Sequence, residues 1–191
     1  MKRKIILLTL VLALVCSALS ALDAQLVSTE VTVVLRPDGK ADVFYQLEWN
    51  VSSGTMSGFY FEGEAFTPVW NMERCFADLQ GNIRQPLVIK NAGTNRYDVI
   101  LANGKRFSGT AYYYLNYAGN FFEAGLVGLT KSGADEYLYF HWAPVEWEYS
   151  QNYQLVRLVL PVRVGGSTLT PDEKKNVPML TEKFVNDENS I

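Results

Sequence analysis

His141 is the only histidine in the chain and sits between Phe140 and Trp142. For general acid–base work in a hydrolase, a nucleophile and an orienting carboxylate would have to converge on it. The chain has no Gly-x-Ser-x-Gly turn to supply that nucleophile, so His141 reads as structural. Carboxylates pair at Glu62 and Glu64 and again at Glu146 and Glu148, two residues apart and so on one face if extended. A glycosidase sets its two carboxylates about 5 to 9.5 Å apart across a sugar, and calcium is more naturally held by an Asp-rich loop. Neither pattern is present, and both pairs read as decoration of a solvent face. Zinc would need Cys75 and carboxylates without any recognisable ligand spacing. The residues therefore predict no catalytic group, no metal site and no cofactor.

Aromatic residues carry more information. Trp142 and Trp147, with Tyr137, Tyr139 and Tyr149, form the densest aromatic patch. Outward-facing rings would make a stacking platform for a sugar or a partner protein, because they offer rigid contact area at low entropic cost. Inward-facing rings would be ordinary core. In the run Tyr112-Tyr113-Tyr114 successive strand residues point to opposite faces, so either Tyr113 or its two neighbours face outward. The expected ligand or partner surface is Trp142, Trp147, Tyr113, Glu146 and Glu148.

The elements that must position these residues read as strands. Residues 27–35 and 41–51 flank Pro37-Asp38-Gly39, which supplies a fixed φ, an Asx-type turn and a glycine. In the second arm Val43, Tyr45, Leu47, Trp49 and Val51 alternate with more polar neighbours, broken only by Phe44. Further strands are expected at 58–62, 75–79, 87–90, 96–101, 107–117, 136–142 and 152–164, separated by turn signals such as Asn103-Gly104 and Ser132-Gly133. Residues 121–130 read equally as a short helix or a bent strand. Short strands punctuated this often predict an all-β fold, an antiparallel β-sandwich of immunoglobulin-like architecture over 25–165. After Gly165-Gly166 apolar density falls, and 166–191 reads as a polar tail with a short helix opened by Thr170-Pro171-Asp172-Glu173.

The address is set at the N-terminus. Lys2-Arg3-Lys4, an apolar run over 5–15 interrupted only by Thr9, and a small-residue exit make residues 1–24 a signal peptide. Cleavage fits after Ser20 or after Ala24. Lipidation of Cys16 is a third option, disfavoured by the β-branched Val15 before it. The apolar run is far shorter than the roughly 20 residues of a membrane-spanning helix, so no transmembrane helix is expected after cleavage, although an anchor could follow if the chain is truncated. Of the 191 residues, the 167 that remain carry 14 basic and 19 acidic side chains, a net charge of −5. Nucleic acid is an unsuitable partner for so acidic a surface. Cys75 is then the sole cysteine, no internal disulfide can form, and its neighbours Phe76 and Leu79 favour burial.

Several of these residues recur in one order elsewhere. Asp38-Gly39, Gly58-Phe59-Tyr60, the tyrosines from Tyr113 to Tyr117, Tyr139-Phe140-His141-Trp142, Trp147, and Leu155 through Leu160-Pro161 together resemble the N-terminal extracytoplasmic domain of the predicted-membrane-protein family called domain of unknown function 2207. The resemblance spans about 26–164. It implies an extracytoplasmic β-sandwich and supplies no catalytic residue. Two departures stand out: Phe61-Glu62 replaces an arginine of the family pattern, and the membrane helices that usually follow the domain are absent.

The expectation for function is an exported, non-enzymatic module at a bacterial cell envelope, engaged in protein interaction or assembly. The alternative is a carbohydrate-binding module or carbohydrate-active enzyme using Trp142 and Trp147. An envelope protein or a polysaccharide is the expected partner, with oligomeric state open. Residues 27–35, with Glu30 as their only charge, read as an exposed strand edge able to accept a partner strand.

Overall fold

A computed structural model describes residues 22–80, 83–147, 151–161, 163–164 and 167–168. Most of the signal segment, including Cys16, lies outside the described residues, as do Glu148, Tyr149 and the predicted C-terminal helix. The chain divides into two compact units, Met1–Leu160 and Pro161–Ile191. In the second, β12 (Arg163–Val164) and β13 (Ser167–Thr168) form a small antiparallel pair.

The first unit is nearly all strand. β1 (Asp23–Leu35) turns into β2 (Lys40–Met56) at Pro37-Asp38-Gly39. Gly39 takes φ +75°, its amide donates to the Arg36 carbonyl at 3.1 Å, and a Cβ there would lie 2.6 Å from Phe122 Cβ. The alternation read in β2 is the observed burial. Val43, Tyr45, Leu47, Trp49 and Val51 are buried, and Phe44 faces the other side with Asp42 and Gln46. β3 (Gly58–Glu62) and β4 (Val69–Trp70) follow, then a 3₁₀ turn, Met72–Arg74, and β5 (Phe76–Leu79). Beyond these lie β6 (Ile83–Gly93), β7 (Arg96–Leu101), β8 (Phe107–Asn120) and the hairpin of β9 (Val127–Ser132) with β10 (Asp135–Phe140). β11 (Tyr153–Val159) completes the unit. Residues 121–130, ambiguous in sequence, resolve into a turn followed by β9.

Nine strands make one mixed sheet in the order β11, β1, β2, β8, β5, β6, β7, β3, with β4 also paired to β8. All pairings in it are antiparallel except that of β11, which runs parallel to β1 over Ser28–Val34. The wholly antiparallel sheet expected from sequence is corrected at this point. So is the expected edge: β1 is an interior strand, and its scarcity of charge is that of a strand with a neighbour on each side. β4 and β5 lie along the same side of β8, opposite 117–118 and 111–114 respectively, as one strand interrupted by the 3₁₀ turn.

Phe59 of β3 stacks on Trp49 of β2 at 5.6 Å, and Phe61 meets Tyr45 edge-on at 5.3 Å. β2 and β3 stand five places apart in the strand order, so these contacts require the sheet to curl until its far end covers its middle. The core is this aromatic filling, with Tyr113, Tyr117, Leu47 and Leu115. Gly119 is required by it, since a Cβ there would sit 2.1 Å from the Phe66 ring.

Candidate functional site

The expected surface divides into parts that do not meet. Tyr113 is wholly buried, packed edge-on against Phe59 at 5.1 Å, because its register partner Leu47 points into the core. Tyr113 is thus corrected from surface to core, and the outward residues of that run are Tyr112 and Tyr114. Trp147 is half-buried and touches Phe59 at 5.6 Å, Phe61 at 6.3 Å and Trp49 at 6.4 Å. Trp142 is half-buried against Phe121. Glu146 and His141 are exposed. Residues 141–147 form a strap without regular structure whose anchors are Trp142, Val145 and Trp147. The Val145 amide donates to the Tyr45 hydroxyl at 3.2 Å.

Beneath that strap lies a polar cluster that sequence reasoning missed. Glu64, paired with Glu62 as solvent decoration, is only 4% exposed. β3 ends at Glu62, which stays outside and pairs with Arg96 at 3.1 Å, and Gly63 at φ +109° turns Glu64 inward. The signal that distinguishes the two glutamates is the glycine between them, which breaks the strand period. Tyr117 donates to Glu64 Oε1, and Trp142 Nε1 donates to Oε2 at 3.2 Å. Burial pushes the Glu64 carboxyl above the ordinary glutamate range, against the opposing pull of those two donors. Burial, followed by the neighbouring Tyr45 and Glu64, holds the Tyr117 hydroxyl well above the ordinary tyrosine value. Held by Tyr117 and Trp142 and only 4% exposed, the Glu64 carboxyl fastens the strap to the core. Cys75 is buried in the same unit, with its thiol pushed up by burial and its sulfur accepting from the Asn116 amide at 3.3 Å. Among the described residues no three His, Cys, Asp or Glu side chains gather as a metal site requires.

What remains at the surface is strand edge. Among the described residues the sheet ends at β3 and β11. β3 has five residues and is guarded: Arg96 pairs with Glu62 and lies 3.9 Å over the Tyr60 ring. β11 has seven, and its one charge, Arg157, is engaged by Glu30 at 3.0 Å. Its register sets Val156 and Leu158 beside the buried Val31 and Val33, yet they are 43% and 36% exposed, and Tyr153 is 49% exposed. These apolar side chains lie at the rim of the core without cover from the described residues.

No family model matches the chain, and no curated protein matches it. Among solved structures it is similar to one from Parabacteroides distasonis described as a candidate protease, at 15% identity and TM-score 0.30, over 50% of this chain and 22% of that one. At that TM-score neither fold nor activity carries over.

Proposed function

We propose that the chain is an exported, non-enzymatic binding or assembly module of the cell envelope, which accepts an extended segment of a partner protein along β11. The observation that carries this reading is the β11 edge, unguarded by free charge and bordered by exposed Val156 and Leu158. An open edge presents a row of backbone donors and acceptors, and strand addition satisfies them while covering the apolar rim. Export rests on the signal segment. Cleavage after Ser20 suits the fold better than cleavage after Ala24, because Asp23 and Ala24 already belong to β1 and pair with Ser53 and Val51 of β2. In fold terms we read the curled sheet as a β-sandwich of immunoglobulin-like architecture, supported by the packing of β3 over β2. Kinship with the domain of unknown function 2207 family rests on the order of the shared motifs alone. The rival reading of Trp142 and Trp147 as a sugar platform has less support, since both rings are half-buried against the core.

A photo-crosslinking residue placed at Val156 in the producing cell, with the same residue at Tyr60 on the β3 edge as control, tests this reading. A discrete adduct of the exported protein from position 156 and none from position 60 is the expected result. Equal adducts from both edges, or none from either, would end the edge assignment; an adduct with a second copy would replace the envelope partner by self-association.

A further inference from the structure

The outward face of the sheet carries a depression of about 340 Å³ built by the strand register itself. One cross-strand row runs Leu155, Glu30, Gln46, Tyr114, Phe76 and Pro86 through β11, β1, β2, β8, β5 and β6. The next row sets Arg157, Thr32 and Phe44 side by side. Phe76 stacks on Tyr114 at 4.6 Å with 22° between the rings, and the Arg84 guanidinium lies 3.8 Å over the Phe76 ring. The 3₁₀ turn between β4 and β5 lifts Arg74 out of the sheet, with its guanidinium 5.8 Å from the Phe44 ring centroid.

The charge balance is unusual for this chain. Arg74, Arg84 and Arg157 line the depression against one carboxylate, Glu30, in a protein of net charge −3. Glu30 is already taken by Arg157. Asp78 stands opposite Arg84 in the register, yet the Arg84 guanidinium lies over the Phe76 ring and donates to the Glu73 carbonyl at 3.4 Å. Neither Arg74 nor Arg84 forms an ion pair with a described carboxylate. A guanidinium over a ring face still has N–H groups to offer, and its planar fork matches a carboxylate in two parallel hydrogen bonds.

We propose that this depression binds an acidic saccharide, with the carboxylate of a uronic-acid residue held between Arg74 and Arg84. The rings of Phe44 and Tyr114 would lie against the apolar C–H face of the sugar, and Gln46 and Thr32 would meet its hydroxyls. A pocket near the small end of the usual ligand-site range suits one or two such residues. An acidic peptide would satisfy the arginines but leave the rings and the amide of Gln46 without a matching surface. The site lies on the face of the sheet, with Arg157 of β11 in its lining, and does not depend on strand addition along the β11 edge.

Calorimetric titration of the exported protein with tri-galacturonate, a neutral galactose trimer and tri-glutamate, at fixed salt, tests the proposal. Tri-galacturonate is expected to bind, the neutral trimer not to, and tri-glutamate to bind at least about tenfold more weakly. Arg74→Gln and Arg84→Gln, both at exposed positions, are each expected to weaken tri-galacturonate about tenfold or more, as loss of a charge-assisted hydrogen bond does. Arg84→Lys, which keeps the charge but not the fork, should fall between. Unchanged melting of each variant certifies the fold. Absence of tri-galacturonate binding, binding indifferent to both arginines, or equal binding of tri-glutamate would each overturn the proposal, and none of these outcomes bears on crosslinking at Val156.

Discussion

The two faces of β2 and β8 draw on the same residue types and put them to opposite uses. Inward, Tyr45, Trp49, Tyr113 and Tyr117 meet Phe59 and Phe61 edge-on or stacked, and the one carboxyl among them, Glu64, is held by Tyr117 and Trp142. Outward, Phe44 and Phe76, the latter stacked on Tyr114, lie beneath Arg74 and Arg84, which have no carboxylate partner among the described residues. Aromatic density by itself therefore does not mark a binding surface. On the inner face the rings satisfy one another, whereas on the outer face they carry the Arg74 and Arg84 guanidinium groups, which form no ion pair with a described carboxylate.

The largest effect expected from breaking this contrast is on the inner face. Trp147→Ala should cost about 3 to 5 kcal/mol of stability, as truncation of a packed aromatic does, measured by denaturant unfolding. A neutral result would return Trp147 to the surface. Next, Tyr117→Phe removes a donor from a buried carboxyl and should cost about 1 to 3 kcal/mol. The same measurement checks it, and a cost near zero would mean that Glu64 finds its partner elsewhere.

Glu64→Gln sharpens the electrostatic side. With its folded pKa raised above the ordinary 4.5, Glu64 holds its proton more tightly folded than unfolded. The stability this contributes is whole below about that pH and is lost as pH rises through the raised value, by roughly 1.4 kcal/mol for each unit of the shift. Glutamine removes the titratable group and keeps a carbonyl oxygen that can accept from Tyr117 or Trp142. Relative to the parent, the variant should gain in melting temperature from pH 5 to pH 8. A difference that is flat with pH, or reversed, would mean an ionised carboxylate in the folded state. The smallest effect belongs to the outer face, where Arg84→Gln should shift stability by no more than about 0.5 kcal/mol. A larger loss in thermal unfolding would make Arg84 a structural residue.

Much of the scaffold was legible because its determinants are local. The Pro37-Asp38-Gly39 turn, the period of two in β2 and the glycine-marked breaks after 101 and 132 each act over a few residues. The parallel pairing of β11 with β1 was not legible, since it joins segments more than 120 residues apart and no turn chemistry announces it. Reading β1 as an edge followed from that gap. The orientation of the aromatic patch at 137–149, open between core and surface in the sequence, was not legible for a related reason. Spacing reports which rings share a strand face but not whether another layer covers that face, and Trp147 was covered by β3. The Arg84, Phe76 and Tyr114 stack was invisible for the opposite reason: its members come from three strands and meet only through register.

The measurement that bears most directly on the division of labour between the faces is a map of backbone amide chemical shifts during titration with tri-galacturonate. The outward reading predicts perturbations grouped at residues 30–32, 44–46, 74–76, 84, 114 and 157, with the strap unmoved. Perturbations grouped instead at 142–147 would contradict it and restore the tryptophan patch as the binding surface.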